Sequence, residues 1–172
     1  MPENHISAND IRSRGTVISL CYSEILEGPK KFIERALFVE EGVSEAEKPS
    51  EVWCQNVEIL SWKTVTKLME RDYHYEFGQC GKKLCITSAD LASVKTGDVL
   101  FVGKAVLVVT HMGMSCQSRC SIRENEPDDC PASREWIFAR ILRGGQVLVE
   151  DIVVAMSSEK SAGWKDIAHP NN

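Results

Sequence analysis

From residue 84 onward the chain is cut into short apolar runs by tight turn signals, and this limits its fold more than any other feature. Residues 84–87, Val99–Val102 and residues 105–111 are rich in Val, Leu and Ile. Thr96-Gly97-Asp98 precedes the second run, and Gly103-Lys104 separates it from the third. Short runs joined by tight turns favour hairpin pairing between neighbours. Their spacing predicts a mainly β fold, a closed or partly open β-barrel with a few peripheral helices.

The rest of the chain fits that frame. Residues 1–14 read as a polar, flexible leader, 15–156 as the folded domain and 157–172 as a polar tail. Residues 15–21 (GTVISLC) alternate enough to predict a first strand, and Arg35–Val39 a second. The acidic, turn-rich stretch 40–52 reads as a loop, and residues 57–60 as a short strand leading into a helix. That helix, over 61–73, is the clearest of all. Trp62, Val65, Leu68, Met69 and Tyr73 form one apolar stripe, with Ser61 placed as the N-cap. A second, shorter helix is predicted over 134–142, ended by Gly144-Gly145, with Ile137, Phe138 and Ile141 as its buried stripe. Strands over 146–149 and Ile152–Met156 complete the reading.

Composition narrows the function. A hydrophobic share of 43% over 172 residues supports a real core, and a formal charge of −5 excludes a general nucleic-acid binder. The opening lacks the apolar run of a signal peptide, and the longest apolar stretches are strand-sized. A cytoplasmic location is the expectation. In that compartment the seven cysteines are expected as thiols, ligands or nucleophiles rather than disulfides.

Residues 116–145 concentrate the chemistry. They hold Cys116, Cys120 and Cys130 together with Arg119, Arg123, Arg134, Arg140 and Arg143. Thiolates suit soft metals and sulfur chemistry, and guanidinium groups suit phosphate oxygens, so the segment can hold an anionic, metal-bearing cofactor. Cys116 is the candidate nucleophile or ligand, with Arg119 beside it to favour the thiolate. Arg134 at a helix N-terminus, with Ser133 adding a hydroxyl, would seat a phosphate; a structural ion pair with Glu135 or Asp129 is the competing reading. Cys120 and Cys130 admit three readings: sulfur relay with Cys116, part of a zinc site, or core packing. As metal ligands the three cysteines form an incomplete tetrahedral set, and His111, Cys80 or Cys85 would have to supply the fourth position. His111 is the histidine nearest this chemistry; His5 and His169 lie in the polar tails, and His74 sits between two tyrosines.

The run Asp90-Leu91, Val94, Gly97-Asp98-Val99-Leu100, Val102-Gly103 and Ala105-Val106-Leu107, with Val109-Thr110, is similar to the middle of MOSC domains, the C-terminal part of molybdenum cofactor sulfurases. The similarity continues through Cys116, Cys120, Ile122, Asp129-Cys130-Pro131, Arg134-Glu135, the stretch 137–142 and Gly144-Gly145, and it looks most like the small stand-alone bacterial members. The resemblance implies a barrel that binds the molybdenum cofactor, a pterin with a dithiolene and a phosphate. It makes Cys116 the metal ligand or sulfur carrier, and it implies a role in sulfur transfer, cofactor delivery or small-molecule reduction. A cysteine desulfurase or a molybdoenzyme is the implied partner, since 172 residues have no room for a pyridoxal-phosphate desulfurase domain.

Three stretches depart from the family pattern. Glu41-Gly42-Val43-Ser44-Glu45 stands in place of a His-containing loop, Cys54-Gln55 in place of a His-Arg pair, and Gly81-Lys82-Lys83 in place of Gly-Glu-Asn. Lys82 and Lys83 would supply positive charge to a remodelled half of the cofactor pocket. The same departures motivate an alternative: a non-catalytic binding or regulatory module that keeps the barrel without cofactor chemistry. A structural zinc protein built on the cysteine cluster is a third reading.

Overall fold

The structure is a computed structural model that describes residues 11–22, 31–39, 42–44, 56–71, 84–88, 91, 93–113 and 135–157. In chain order the described elements are β1 (Ile11–Tyr22), β2 (Lys31–Ile33), β3 (Arg35–Val39), β4 (Gly42–Ser44), β5 (Asn56–Ser61), α1 (Trp62–Arg71), β6 (Leu84–Ser88), β7 (Val99–Val102), β8 (Ala105–Met112), β9 (Ile137–Arg143), β10 (Gly145–Leu148) and β11 (Ile152–Met156). The mainly β reading therefore holds.

The larger sheet runs β11-β7-β8-β9-β5-β6-β1-β2, and β11 also pairs with β1. Seven strands thus form a ring of pairings, a strongly curled barrel with β2 as an added edge. All pairings are antiparallel except β5 with β6, whose link runs through α1. β1 makes closure possible because it is long. Its first half, from Ile11 to Thr16, pairs with β11, and its second half, from Val17 to Tyr22, with β6. A register shift between Val17 and Ser19 changes the alternation there, so that Val17 and Leu20, three residues apart, both reach the core. β1 also takes in residues 11–14 of the stretch read as a leader.

A smaller sheet, β10-β3-β4, packs Ala36, Phe38 and Val147 into the same core. β2 and β4 escaped the sequence reading. Each is three residues long, and β4 lies within the stretch read as a loop. Strands this short are defined by the neighbour they pair with rather than by their own pattern.

The second predicted helix is not one over residues 137–142; these belong to β9, between β8 and β5. Ile137, Ala139 and Ile141 point into the barrel, while Arg140 is exposed on the other face. Gly144-Gly145 accordingly ends no helix, and neither glycine has a positive φ. The pair forms the corner at which the chain leaves the large sheet for the small one. A side chain at Gly144 would run into the backbone of Phe38, and one at Gly145 into that of Lys104.

The predicted first helix is present as α1. Ser61 caps it, its Oγ accepting from the Thr64 N–H at 3.0 Å. Its buried face is Thr64, Val65 and Leu68, whereas Trp62 and Met69, expected within the apolar stripe, are exposed. None of the described helices is long and apolar enough to cross a membrane.

Candidate functional site

Among the described residues the barrel interior is apolar. The core cluster among them consists of Val, Leu, Ile, Ala and Phe side chains. Among the described residues a site must therefore lie on the outer wall or at strand ends.

One stretch of outer wall stands apart, where β8, β9 and β5 adjoin. Alternation along β8 sends Leu107 and Val109 inward, and an unbroken strand would send His111 inward too. A register shift between Val109 and His111 leaves Thr110 as the extra residue and brings His111 opposite Phe138. Both Thr110 and His111 then face solvent. The imidazole stacks on the Phe138 ring with centroids 4.2 Å apart and planes 7° from parallel. Trp136 continues the aromatic wall, 6.4 Å from Phe138 and 16° from parallel.

The hydrogen bonds here define a tautomer. Thr110 Oγ1 donates to the Phe138 carbonyl at 3.0 Å and lies 3.2 Å from His111 Nδ1. A carbonyl only accepts, and the hydroxyl has a single proton. Nδ1 must therefore carry the hydrogen that it shares with Thr110, and in the neutral ring Nε2 is left as an acceptor. Trp136 is 1% exposed, and among the described residues nothing accepts from its Nε1.

Glu58 faces Phe138 from β5 on the same outer face, between the core residues Val57 and Ile59, and is itself buried. A carboxylate in an apolar strand is the signal that marks it, and the sequence reading passed over it. Cys85 is its partner on β6 in the parallel register.

A second polar group ties α1 to the start of β9. Lys67 Nζ donates to Glu135 Oε1 at 2.6 Å, and Thr64 Oγ1 donates to Glu135 Oε2 at 2.7 Å. Because the Thr64 proton is committed to the carboxylate, the 2.7 Å contact between Ser61 and Thr64 hydroxyls must be donated by Ser61. Partial burial acts to raise the Glu135 pKa. The bonds from Lys67 and Thr64, with the charges of Lys67 and Lys63, outweigh it and hold the carboxyl below its ordinary range. Glu135 is thus partnered by Lys67 and Thr64.

The Gly97-Asp98 pair of the family-like run serves the fold. Asp98, 1% exposed, accepts from the Lys95 N–H at 2.9 Å and stands 2.8 Å from Arg12 Nε. The Arg12 N–H is not aimed along a hydrogen bond, so charge rather than alignment holds this pair. Arg12 also donates to Ser157 at 3.3 Å, and its carbonyl accepts from Ser93 at 2.7 Å.

Of the residues picked out for chemistry, Arg140, His111 and Arg143, exposed at the end of β9, lie within the described structure, as does Cys85 on β6. Arg140 is exposed, two residues from Phe138 and on the same face of β9, with Val108 opposite on β8. Cys116, Arg119, Cys120, Arg123, Cys130, Ser133 and Arg134, with Lys82 and Lys83, lie outside the described residues. Among the described residues no three His, Cys, Asp or Glu side chains form a metal-binding group.

No family model matches the chain, and no curated protein matches it significantly. Solved structures do. The YuaD protein from Bacillus subtilis aligns with TM-score 0.55 at 14% identity, over 84% of this chain and 97% of that one. YiiM from Escherichia coli aligns with TM-score 0.52 at 14% identity, over 89% of this chain and 78% of that one. A hypothetical protein aligns with TM-score 0.56 at 15% identity, over 85% of this chain and 68% of that one. At these identities the likeness is one of fold, and it fits the MOSC-like barrel that the sequence resembles.

Proposed function

We propose that this chain is a MOSC-like barrel that binds the molybdenum cofactor through Cys116 and the arginines near it, and that it acts in sulfur transfer, cofactor delivery or reduction of a small substrate. One observation carries the reading. The Gly113 N–H donates to the Trp136 carbonyl at 2.6 Å, and the last β8–β9 pair is Met112 with Ile137. The two ends of the intervening segment are therefore held together on the outer wall. In the sequence Cys116 follows Gly113 by three residues, and Arg134 precedes Trp136 by two. This closeness in sequence to the paired ends of β8 and β9 supports the grouping of a thiol and a guanidinium in one site.

The donor set fits the cofactor. A thiolate suits molybdenum and sulfur, and guanidinium groups suit a phosphate. Trp136 Nε1 is a buried donor for which no acceptor is found among the described residues. In this reading Cys116 ligates the metal or carries sulfur, with Cys120 and Cys130 as relay thiols. Arg119, Arg123, Arg134 and Arg140, with Ser133, Lys82 and Lys83, bind the anionic parts. When bound, the cofactor supplies a redox-active metal held by dithiolene sulfur. A cysteine desulfurase or a molybdoenzyme, in the reducing cytoplasm, is the partner class.

The test is to count Mo, Zn and Fe per chain in protein purified anaerobically from a molybdenum-replete host. Near-stoichiometric molybdenum, absent from the Cys116→Ser variant, is the expected result. Zinc without molybdenum would replace the reading with a structural zinc site. No metal, with no persulfide on Cys116, would leave a binding module on a MOSC-like barrel.

A further inference from the structure

One row of residues crosses the outer wall on the side away from the core. Leu20 points inward, so alternation places Cys21 on the outer face of β1, where it is 2% exposed. Its register partner on β6 is Cys85; the partner of Cys85 on β5 is Glu58, which stands opposite Phe138 on β9. The two cysteines thus occupy directly opposed positions of an antiparallel ladder. Positions paired in this way share a face, with Cα atoms about 4.5–5.5 Å apart, and a disulfide needs Cα atoms about 4.4–6.8 Å apart. Cys21 is a thiol in the structure. The pairing is not local, since β2, β3, β4, β5 and α1 all lie between the two cysteines in the chain.

We infer that Cys21 and Cys85 are a redox-active cross-strand dithiol, which closes to a disulfide by exchange with a small-molecule disulfide and reopens with a small thiol. The register selects this chemistry, because two cysteines opposed in a ladder can join without backbone movement. The reaction balances in two steps. One protein sulfur attacks a sulfur of the small disulfide, giving a mixed disulfide and releasing one small thiol, which takes up the proton of the attacking group. The second protein sulfur then attacks the protein-side sulfur of the mixed disulfide, and the second small thiol leaves with its proton. The protein loses two electrons and two protons, and the small disulfide gains them. Access to Cys21 comes by way of β2, which is three residues long, ends the large sheet and pairs with β1 alone among the described strands. A short edge strand opens locally at lower free energy than the sheet as a whole. Phe32, opposite Cys21 on β2, is 65% exposed, so the opening uncovers little apolar surface there. The link would join β1 to β6 and close a long loop, a constraint that favours the folded chain.

The test holds the native full chain in a buffer rich in oxidised glutathione, quenches with acid, alkylates the remaining thiols in denaturant and maps the peptides. The expected result is a pair of peptides joined through Cys21 and Cys85, lighter by two hydrogens than its parts. Alkylation should be lost at both positions and fully recovered after dithiothreitol. In Cys85→Ala, and separately in Cys21→Ala, the remaining cysteine should stay out of any protein disulfide. The wild-type map decides the question even where a variant fails to fold. Both positions fully alkylated after the oxidising buffer, either one joined to a different cysteine, or a link that forms only in urea, overturns the inference. So does protection of both thiols by a bound metal that a chelator removes. Molybdenum content enters none of these readouts, so the dithiol and the cofactor reading stand or fall separately.

Discussion

Ser61, Thr64 and Glu135 show how single side chains set the energetics of the outer wall. Ser61 is both an N-cap acceptor and, through its own proton, the first donor of a chain ending on the Glu135 carboxylate. Ser61→Ala should therefore cost about 1 kcal/mol in urea unfolding, the usual value of a cap. The Lys67–Glu135 pair is worth less, because both side chains are more than a third exposed and solvent screens them; under about 1 kcal/mol is expected. Its pH dependence has a definite sign. The folded-state pKa of Glu135 is depressed, so its contribution is fully present above the ordinary carboxylate range and is lost as pH falls through the folded value. Thermal melts of wild type and Glu135→Gln should differ near pH 7 and converge in acid, as pH falls below the ordinary carboxylate range. Equal differences at both pH values would show that the pair contributes nothing through its charge. None of these partners was legible in the sequence. Seventy-one residues separate Thr64 from Glu135, and no local pattern spans that distance.

At the scale of elements, β9 is the instructive case. Ile137, Phe138 and Ile141 fit a helical stripe, and with Ala139 they fit a two-faced strand equally well. A short apolar run closed by glycines does not distinguish the two by periodicity. What decides is that β5 and β8 each present an edge whose N–H and C=O groups β9 satisfies. The consequence can be measured. Ala139, fully buried in the barrel, should lose about 1–3 kcal/mol on replacement by Leu through overpacking. Arg140→Ala, on the exposed face, should stay within about 0.5 kcal/mol. The β7–β8 turn was read correctly because its chemistry is local. Gly103 sits at φ +54° in the first central position of a two-residue turn, where a side chain would also strike Asp151. Gly103→Ala should destabilise by more than about 1 kcal/mol in the same melts. The capped helix α1 was legible for the same local reason. Its buried face was legible in part: Val65 and Leu68 are buried as read, whereas Trp62 and Met69 are exposed and Thr64, which donates to Glu135 just before β9, is buried.

At the scale of the molecule, closure depends on β1 serving two neighbours, and the Arg12–Asp98 pair links its start to the turn before β7. Arg12→Ala leaves a buried carboxylate short of a partner and should cost about 1–3 kcal/mol. Hydrogen exchange should show the loss shared by β1, β11 and β7 rather than confined to one strand. Turn chemistry and short apolar runs are properties of a few adjacent residues, so the sequence by itself determined the mainly β class, the β7–β8 hairpin and the Ser61 cap. Which strands adjoin, where a register shift turns His111 outward, and which carboxylate Lys67 meets are properties of residues distant in the chain. Only the tertiary structure decided them, because a strand's face and partners are set by the hydrogen-bonding edges and packing surfaces of its neighbours rather than by its own residues.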